Sequence, residues 1–174
     1  MKKLRIALDL DDTIFNWRDC HEKKFNCKIN EMTREEIHKQ VLQCKNDKNF
    51  WSNLPLLETP DFIPELYATK RINSKLYTKA CLNKYNLPIR PIYQIYDQFD
   101  NKARIIKGKC DVLIDDDIFN IDQCLKYGVP ALLINRPFNK NIKTNYRIYN
   151  LKYSEIENKY YELIKVYHLK IRRK

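Results

Sequence analysis

The sequence predicts an α/β fold with a central, mainly parallel sheet and a small helical cap inserted after the first strand. Short apolar runs alternate with stretches of helical periodicity, the pattern of strands joined by crossover helices. Two of those runs stop in acid: Leu4–Leu8 before Asp9-Leu10-Asp11-Asp12-Thr13, and Asp111–Ile114 before Asp115-Asp116-Asp117. Buried parallel strands deliver their carboxyl ends to a common sheet edge in this way. Finally, the segment from about Asn16 to Glu58 is too long for a plain crossover and carries its own helical pattern.

Leu4–Leu8 is the first strand. Within the inserted segment, Thr33 and Glu36 form a capping box, and Ile37, Val41 and Cys44 share one face of the helix that follows. Thr59-Pro60 reads as an N-cap and first-turn proline, opening a helix with Phe62, Ile63, Leu66 and Tyr67 on its apolar side. Lys75–Thr78 is taken as the next strand, and Pro91–Tyr96, rich in Ile and Tyr, as another. Asp111–Ile114 and Pro130–Ile134 complete the set. Between them Ile118, Ile121 and Leu125 repeat at helical spacing, and Gly128 falls where a C-terminal glycine belongs. A last helix is expected over about 154–170, opened by a Ser154/Glu157 capping box, with a stripe of Ile156, Tyr160, Leu163, Ile164 and Tyr167. The basic end, Lys170-Ile171-Arg172-Arg173-Lys174, suits a helix C-terminus. All of this fits one domain within 174 residues.

Composition narrows the function classes. Hydrophobic residues make up 44% of the chain and aromatics 12%, enough for a packed core. Lys and Arg outnumber Asp and Glu by 33 to 22, giving a formal charge of +11. That excess either favours anionic partners such as nucleotides or nucleic acid, or is spread over a solvated surface. Only Gly108 and Gly128 are glycines, which excludes a Gly-rich phosphate loop. The six cysteines show no C-x-x-C pair and read as reduced, mostly buried thiols. No apolar run approaches membrane-spanning length, and the expectation is a soluble, cytoplasmic protein without membrane partners.

The chemistry gathers at the strand ends. Converging strands would bring Asp9 and Asp11 to Asp115 and Asp116, with Thr78 at the end of the run between them. Carboxylates crowded in this way are costly without a cation, and their oxygens suit Mg2+. Lys102 or Lys107, just before the second acidic strand, could supply the positive charge opposite a phosphate. One aspartate would then attack as nucleophile while a neighbouring carboxyl moves the proton.

The order Asp9-x-Asp11-x-Thr13, Thr78, Lys102, Asp115-Asp116 resembles the haloacid dehalogenase (HAD) superfamily of phosphohydrolases. Within it, Phe50-Trp51-x-x-Leu54-Pro55-Leu56, Asp100-Asn101-Lys102, Val112-Leu113-Ile114-Asp115-Asp116 and Pro137-Phe138-Asn139 are similar to the 5'(3')-deoxyribonucleotidases. The resemblance covers about Leu4 to Asn139 and implies a three-layer, Rossmann-like sandwich. It implies Asp9 as nucleophile, Asp11 as general acid/base, Thr78 on a phosphoryl oxygen and Lys102 neutralising developing charge. Mg2+ would be held by Asp9, the Asp11 backbone carbonyl and Asp115, with Asp116 in support. Asp12 is expected to face solvent, and Thr13 to be a turn residue or a ligand.

The same resemblance places Trp17, Phe50 and Trp51 around a nucleoside, although these rings could equally fix the cap to the core. Thr78 and Lys79 join them as substrate-binding residues. Two positions depart from the pattern: Asp117 stands where relatives commonly have Arg, and Lys79 where a small hydroxyl residue is usual. The expected substrate is a deoxynucleoside monophosphate, and a homodimer is compatible with the sequence. The alternatives are another phosphatase of the same chemistry, such as one acting on nucleic-acid 3' ends, and a non-catalytic nucleotide or nucleic-acid binder.

Overall fold

The structure, a computed structural model, describes residues 3–96 and 100–171. Six parallel strands form one sheet in the order β3-β2-β1-β4-β5-β6. They are β1 (Ile6–Leu8), β2 (Leu66–Thr69), β3 (Ile92–Gln94), β4 (Val112–Asp115), β5 (Ala131–Ile134) and β6 (Arg147–Ile148). The chain runs outward from β1 in one direction and then in the other. The crevice between β1 and β4, paired Ile6 to Val112 and Leu8 to Ile114, is therefore the topological switch point.

Alternate residues of these strands enter two separate cores. Ile6, Leu8, Tyr67, Val112, Ile114, Leu132 and Ile134 face one side, with Leu82 of α4 (Lys75–Lys84) and with Ile156 and Leu163 of α7 (Tyr153–Ile171). Ala7, Leu66, Ala68, Leu113, Ala131 and Leu133 face the other, against α5 (Ala103–Ile106) and α6 (Ile118–Lys126). The strand period of two thus builds the three layers, and strands buried on both faces explain the continuous apolar runs.

Between β1 and β2 lie α1 (Trp17–Phe25), a 3-10 turn (Ile29–Glu31), α2 (Arg34–Gln43) and α3 (Lys48–Ser52). The Thr33 capping box is present: the Thr33 hydroxyl accepts from the Glu36 amide at 3.2 Å, and the Glu36 carboxylate accepts from the Thr33 amide at 2.7 Å. Four of the six thiols are buried, and all six are free. No helix among the described residues is long and apolar enough to cross a membrane.

Three expectations are corrected. Leu66 and Tyr67 lie in β2, not in a helix opened by Thr59-Pro60. The physical reason is Pro64, which removes an amide donor and pushes Ile63 towards extended backbone. Lys75–Thr78 is the first turn of α4, not a strand. Ser74 caps it by accepting from the Leu76 amide at 3.2 Å, and the buried positions Thr78, Cys81 and Leu82 follow helical spacing while Leu76 is exposed. Ser154 lies inside α7 and does not cap it. Asp61 accepts the Tyr153 amide at 2.7 Å, and Glu155 reaches back to the amides of Tyr149 and Asn150. The Tyr167 side chain and the basic residues 172–174 lie outside the described residues.

Gly128 follows α6 in the left-handed region at φ 72°, where its amide donates to Leu125 and that of Val129 to Cys124. A methyl group there would meet nothing within 4 Å, so its cost is conformational only. Gly128→Ala is expected to lower unfolding stability by about 1 kcal/mol without changing the denaturant slope, as read from urea unfolding curves.

Candidate active site

The site is built where β1 and β4 end side by side. Asp9 is the residue after β1, its amide bonded to the Ile114 carbonyl at 3.0 Å, and Asp115 closes β4. Between the two carboxylates sits Lys102, the residue before α5. Its ammonium donates to Asp9 and, at 2.7 Å, to Asp115, and its side chain is 2% exposed. Lys107, the other basic candidate, is on the surface. Asn101 orients this corner by accepting the Ala103 amide at 2.7 Å.

Asp116 completes a cluster in which one oxygen each of Asp9, Asp115 and Asp116 lies within 4.8 Å of the others. Thr13 ties the two strand ends together: its hydroxyl donates to Asp116 at 3.1 Å, with Asp9 at 3.4 Å. The other Asp115 oxygen accepts from the Asn120 amide group and from the Asp117 backbone, both at 3.0 Å. Asn139 donates to the Asp116 carbonyl at 2.9 Å, which fixes that turn against the loop after β5.

The electrostatics favour a further cation. Fully ionised, three carboxylates against one ammonium would leave two negative charges in a buried space. Burial pushes the Asp9 carboxyl up to about 7; Lys102 opposes this, and Asp115 and Asp11 add to it. Burial and then Asp115 and Asp9 push Asp116 well above the usual carboxylate range. For Lys102 burial works against the charge, but Asp115 and Asp9 outweigh it and hold the ammonium firmly protonated. The donor set is all carboxylate oxygen, and it fits Mg2+ better than a metal that prefers nitrogen or sulfur.

Asp11 is turned differently. Its carboxylate receives Arg71 Nε at 3.0 and 2.9 Å and Nη2 at 2.6 Å, so it stands apart from the three-carboxylate cluster. Asp12 is corrected: it does not face solvent. It is buried in the left-handed region at φ 57°, a conformation aspartate tolerates better than most residues, and it accepts the Arg18 amide at 2.8 Å. Arg136 braces this turn from behind, donating to the carbonyls of Asp12 and Thr13 at 2.9 and 2.6 Å.

The cleft over the cluster has a volume of about 420 Å3. Trp17 and Trp51 line it together with Ile29, Ile37 and Val41, while Asn30, Arg34 and His38 add polar groups from the inserted helices. Arg34 reaches across to Asp117 at 3.0 Å and lies over the Phe119 ring. Of the residues expected around the substrate, Phe50, Thr78 and Lys79 do not line the cleft. Phe50 packs edge-on against Trp51, Lys79 is exposed on α4, and buried Thr78 accepts from Arg71 Nη1 at 3.4 Å. The hydroxyl residue that ends the strand beside β1 is Thr69, followed by Lys70, whose Nζ lies 5.2 Å from the Phe119 ring. Sequence reasoning misses Thr69, Lys70 and Arg71 because Leu66 and Tyr67 read as part of a helix; Pro64 is the signal for the strand.

No family model matches the chain, and no curated protein matches it. Solved structures do. The chain superposes on an L-2-haloacid dehalogenase with a TM-score of 0.57, at 11% identity over 86% of this chain and 96% of the other. It superposes on YfnB of Bacillus subtilis, named as a HAD hydrolase and solved with magnesium, with a TM-score of 0.51, at 14% identity over 93% and 99%. The chain therefore has the Rossmann-like fold of the haloacid dehalogenase-type hydrolases.

Cation binding at the cluster requires Asp9 and Asp116 as carboxylates, so it displaces the protons that burial favours. A Mg2+ ion bound there would compete with those protons, at Asp9 chiefly below about pH 7, so affinity is expected to rise with pH. Titration calorimetry in buffers of different ionisation enthalpy should show protons released on Mg2+ binding at pH 6.5. Equal affinity at about pH 5.5 and 8 would contradict this account.

Proposed function

We propose that the chain is a Mg2+-dependent phosphoric monoester hydrolase of the 5'(3')-deoxyribonucleotidase type, acting on deoxynucleoside monophosphates. The observation that carries this reading is the Lys102 ammonium bridging Asp9 and Asp115, with Asp116 alongside, at the switch point of a parallel sheet. Nucleophile, counter-cation and an oxygen-only metal site thus share one crevice.

In this reading Asp9 attacks the phosphorus, the bond to the ester oxygen breaks, and Asp11 gives that oxygen its proton. Water then attacks the aspartyl-phosphate, returning a proton to Asp11 and releasing inorganic phosphate. Lys102 stabilises the charge that develops on the phosphoryl oxygens. Asp9, Asp115 and Asp116 would hold Mg2+, with the Asp11 backbone carbonyl as a further donor. When bound, the ion supplies additional charge neutralisation at the phosphate.

The substrate class rests on the resemblance and on the cleft. Its volume suits a nucleoside monophosphate, and half-buried Trp17 offers a flat apolar wall beside the polar groups of Asn30 and His38, while Trp51 is almost fully buried. The charge of +11 favours a second reading, a phosphatase for nucleic-acid ends. The Arg34–Asp117 bridge across the cleft favours a small substrate over a polymer.

A panel of deoxy- and ribonucleoside monophosphates, assayed for inorganic phosphate with Mg2+ and with EDTA, tests the proposal. Release from deoxynucleotides that EDTA abolishes is expected; a protein inert on every monophosphate would reject it. A steep fall in rate with salt on oligonucleotide 3'-phosphates, exceeding that on mononucleotides, would favour the second reading. Asp9→Asn should abolish turnover while the melting curve shows a folded protein. Lys102→Ala should lower kcat by about 10²-fold or more. Because it strips the cation from buried carboxylates, it should also lower stability by about 3 kcal/mol, read from denaturant unfolding.

A further inference from the structure

Arg71 is a strongly built feature of the cleft to which the chemistry above gives no task. Its guanidinium is 0% exposed, an arrangement that is costly unless every donor is used. Nε and Nη2 are directed at the Asp11 carboxylate, and Nη1 at the Thr78 hydroxyl. The rings of Phe15 and Trp51 lie on it, each with its centroid 5.4 Å from the guanidinium carbon. Trp51 is itself fixed, its indole N–H donating to the Cys44 carbonyl at 2.8 Å.

This is the geometry of a clamp. A planar guanidinium fork fixes the plane of a carboxylate as well as its position, which an ammonium cannot do. Asp11 nevertheless keeps 21% of its side chain exposed and lines the cleft. Arg71 has no such freedom, because each of its three nitrogens has a partner and aromatic rings pack on it.

We infer that Arg71 is a positioning residue that sets the orientation of the Asp11 carboxylate, and that Thr78 acts through Arg71 by holding its third nitrogen. Thr78 then serves the site without touching the phosphate. The inserted segment gains a role as well: Trp51 of α3 packs on the guanidinium and links the placement of those helices to Asp11. The inference rests on the phosphatase reading, in which Asp11 carries the proton.

Displacing a proton-transferring group by about 1 Å costs on the order of 10²-fold in rate. The test compares wild type, Arg71→Met, Arg71→Lys and Thr78→Val on a deoxynucleoside monophosphate and on p-nitrophenyl phosphate, whose leaving group departs without a proton. Arg71→Lys keeps the buried charge and guards against simple unfolding, which melting curves check. For both Arg71 variants, kcat on the nucleotide should fall by about 10²-fold with KM within about threefold. Because the first step on p-nitrophenyl phosphate needs no proton, single-turnover nitrophenol release should change little. Acid-quenched protein should then accumulate phosphoenzyme, since water activation fails. Thr78→Val should show the same pattern at a loss of roughly tenfold. Active wild type with either Arg71→Lys or Thr78→Val at wild-type kcat overturns the inference alone. Equal losses on both substrates, without phosphoenzyme, also overturn it. Wild type inert on both substrates overturns the phosphatase reading and this inference with it.

Discussion

The placement of Lys102 between Asp9 and Asp115 is the constraint on which the rest of this structure depends. A buried ammonium is tolerable only with carboxylates against it, and two buried carboxylates are tolerable only with a cation between them. Each partner comes from a different part of the chain: the end of β1, the end of β4 and the loop before α5. The parallel pairing of β1 with β4 brings the two strand ends level, and Asn101 sets the loop that carries the lysine. Thr13, Asn120 and Asn139 hold the same corner with hydrogen bonds from uncharged donors.

A second ion pair lies beside the first and is kept separate from it. Arg71 takes Asp11 away from the cluster, so the two acidic residues of the opening motif have different surroundings two positions apart. Asp9 lies among carboxylates and one lysine, with burial raising its proton affinity. Asp11 lies in a guanidinium fork with part of its surface open to the cleft. In the proposed phosphatase reading, Asp9 as nucleophile and Asp11 as proton carrier need such unlike environments, and a strand followed by a tight turn supplies them. The turn depends on Asp12 in a left-handed conformation and on Arg136 against the carbonyls behind it.

The inserted helices close this site from above through a small number of specific contacts. Trp51 packs on Arg71, Arg34 bridges to Asp117, and Arg18 lies over Phe138 with 4.0 Å to the ring centroid. These contacts join cap and core at the cleft itself. Asp117, at the start of α6, meets Arg34 from the opposite wall at 3.0 Å.

What the sequence determined by itself was the sheet's acidic strand ends, the capping box at Thr33, the glycine stop at Gly128 and the long insertion. These are local signals, set by burial on both faces of a strand, by hydrogen bonds to neighbouring amides and by backbone sterics. The second strand was far less legible, with one local signal before it. Leu66–Thr69 and Lys75–Thr78 are similarly short and mixed, and only the neighbours they meet, with Pro64 before the former and Ser74 before the latter, make one a strand and the other a helix. From that exchange follow Thr69 at the strand end, Thr78 beneath Arg71, and Arg71 itself. Tertiary structure alone decided which cation meets which carboxylate, because a buried ion pair depends on distances between residues far apart in the chain, and no local pattern encodes them.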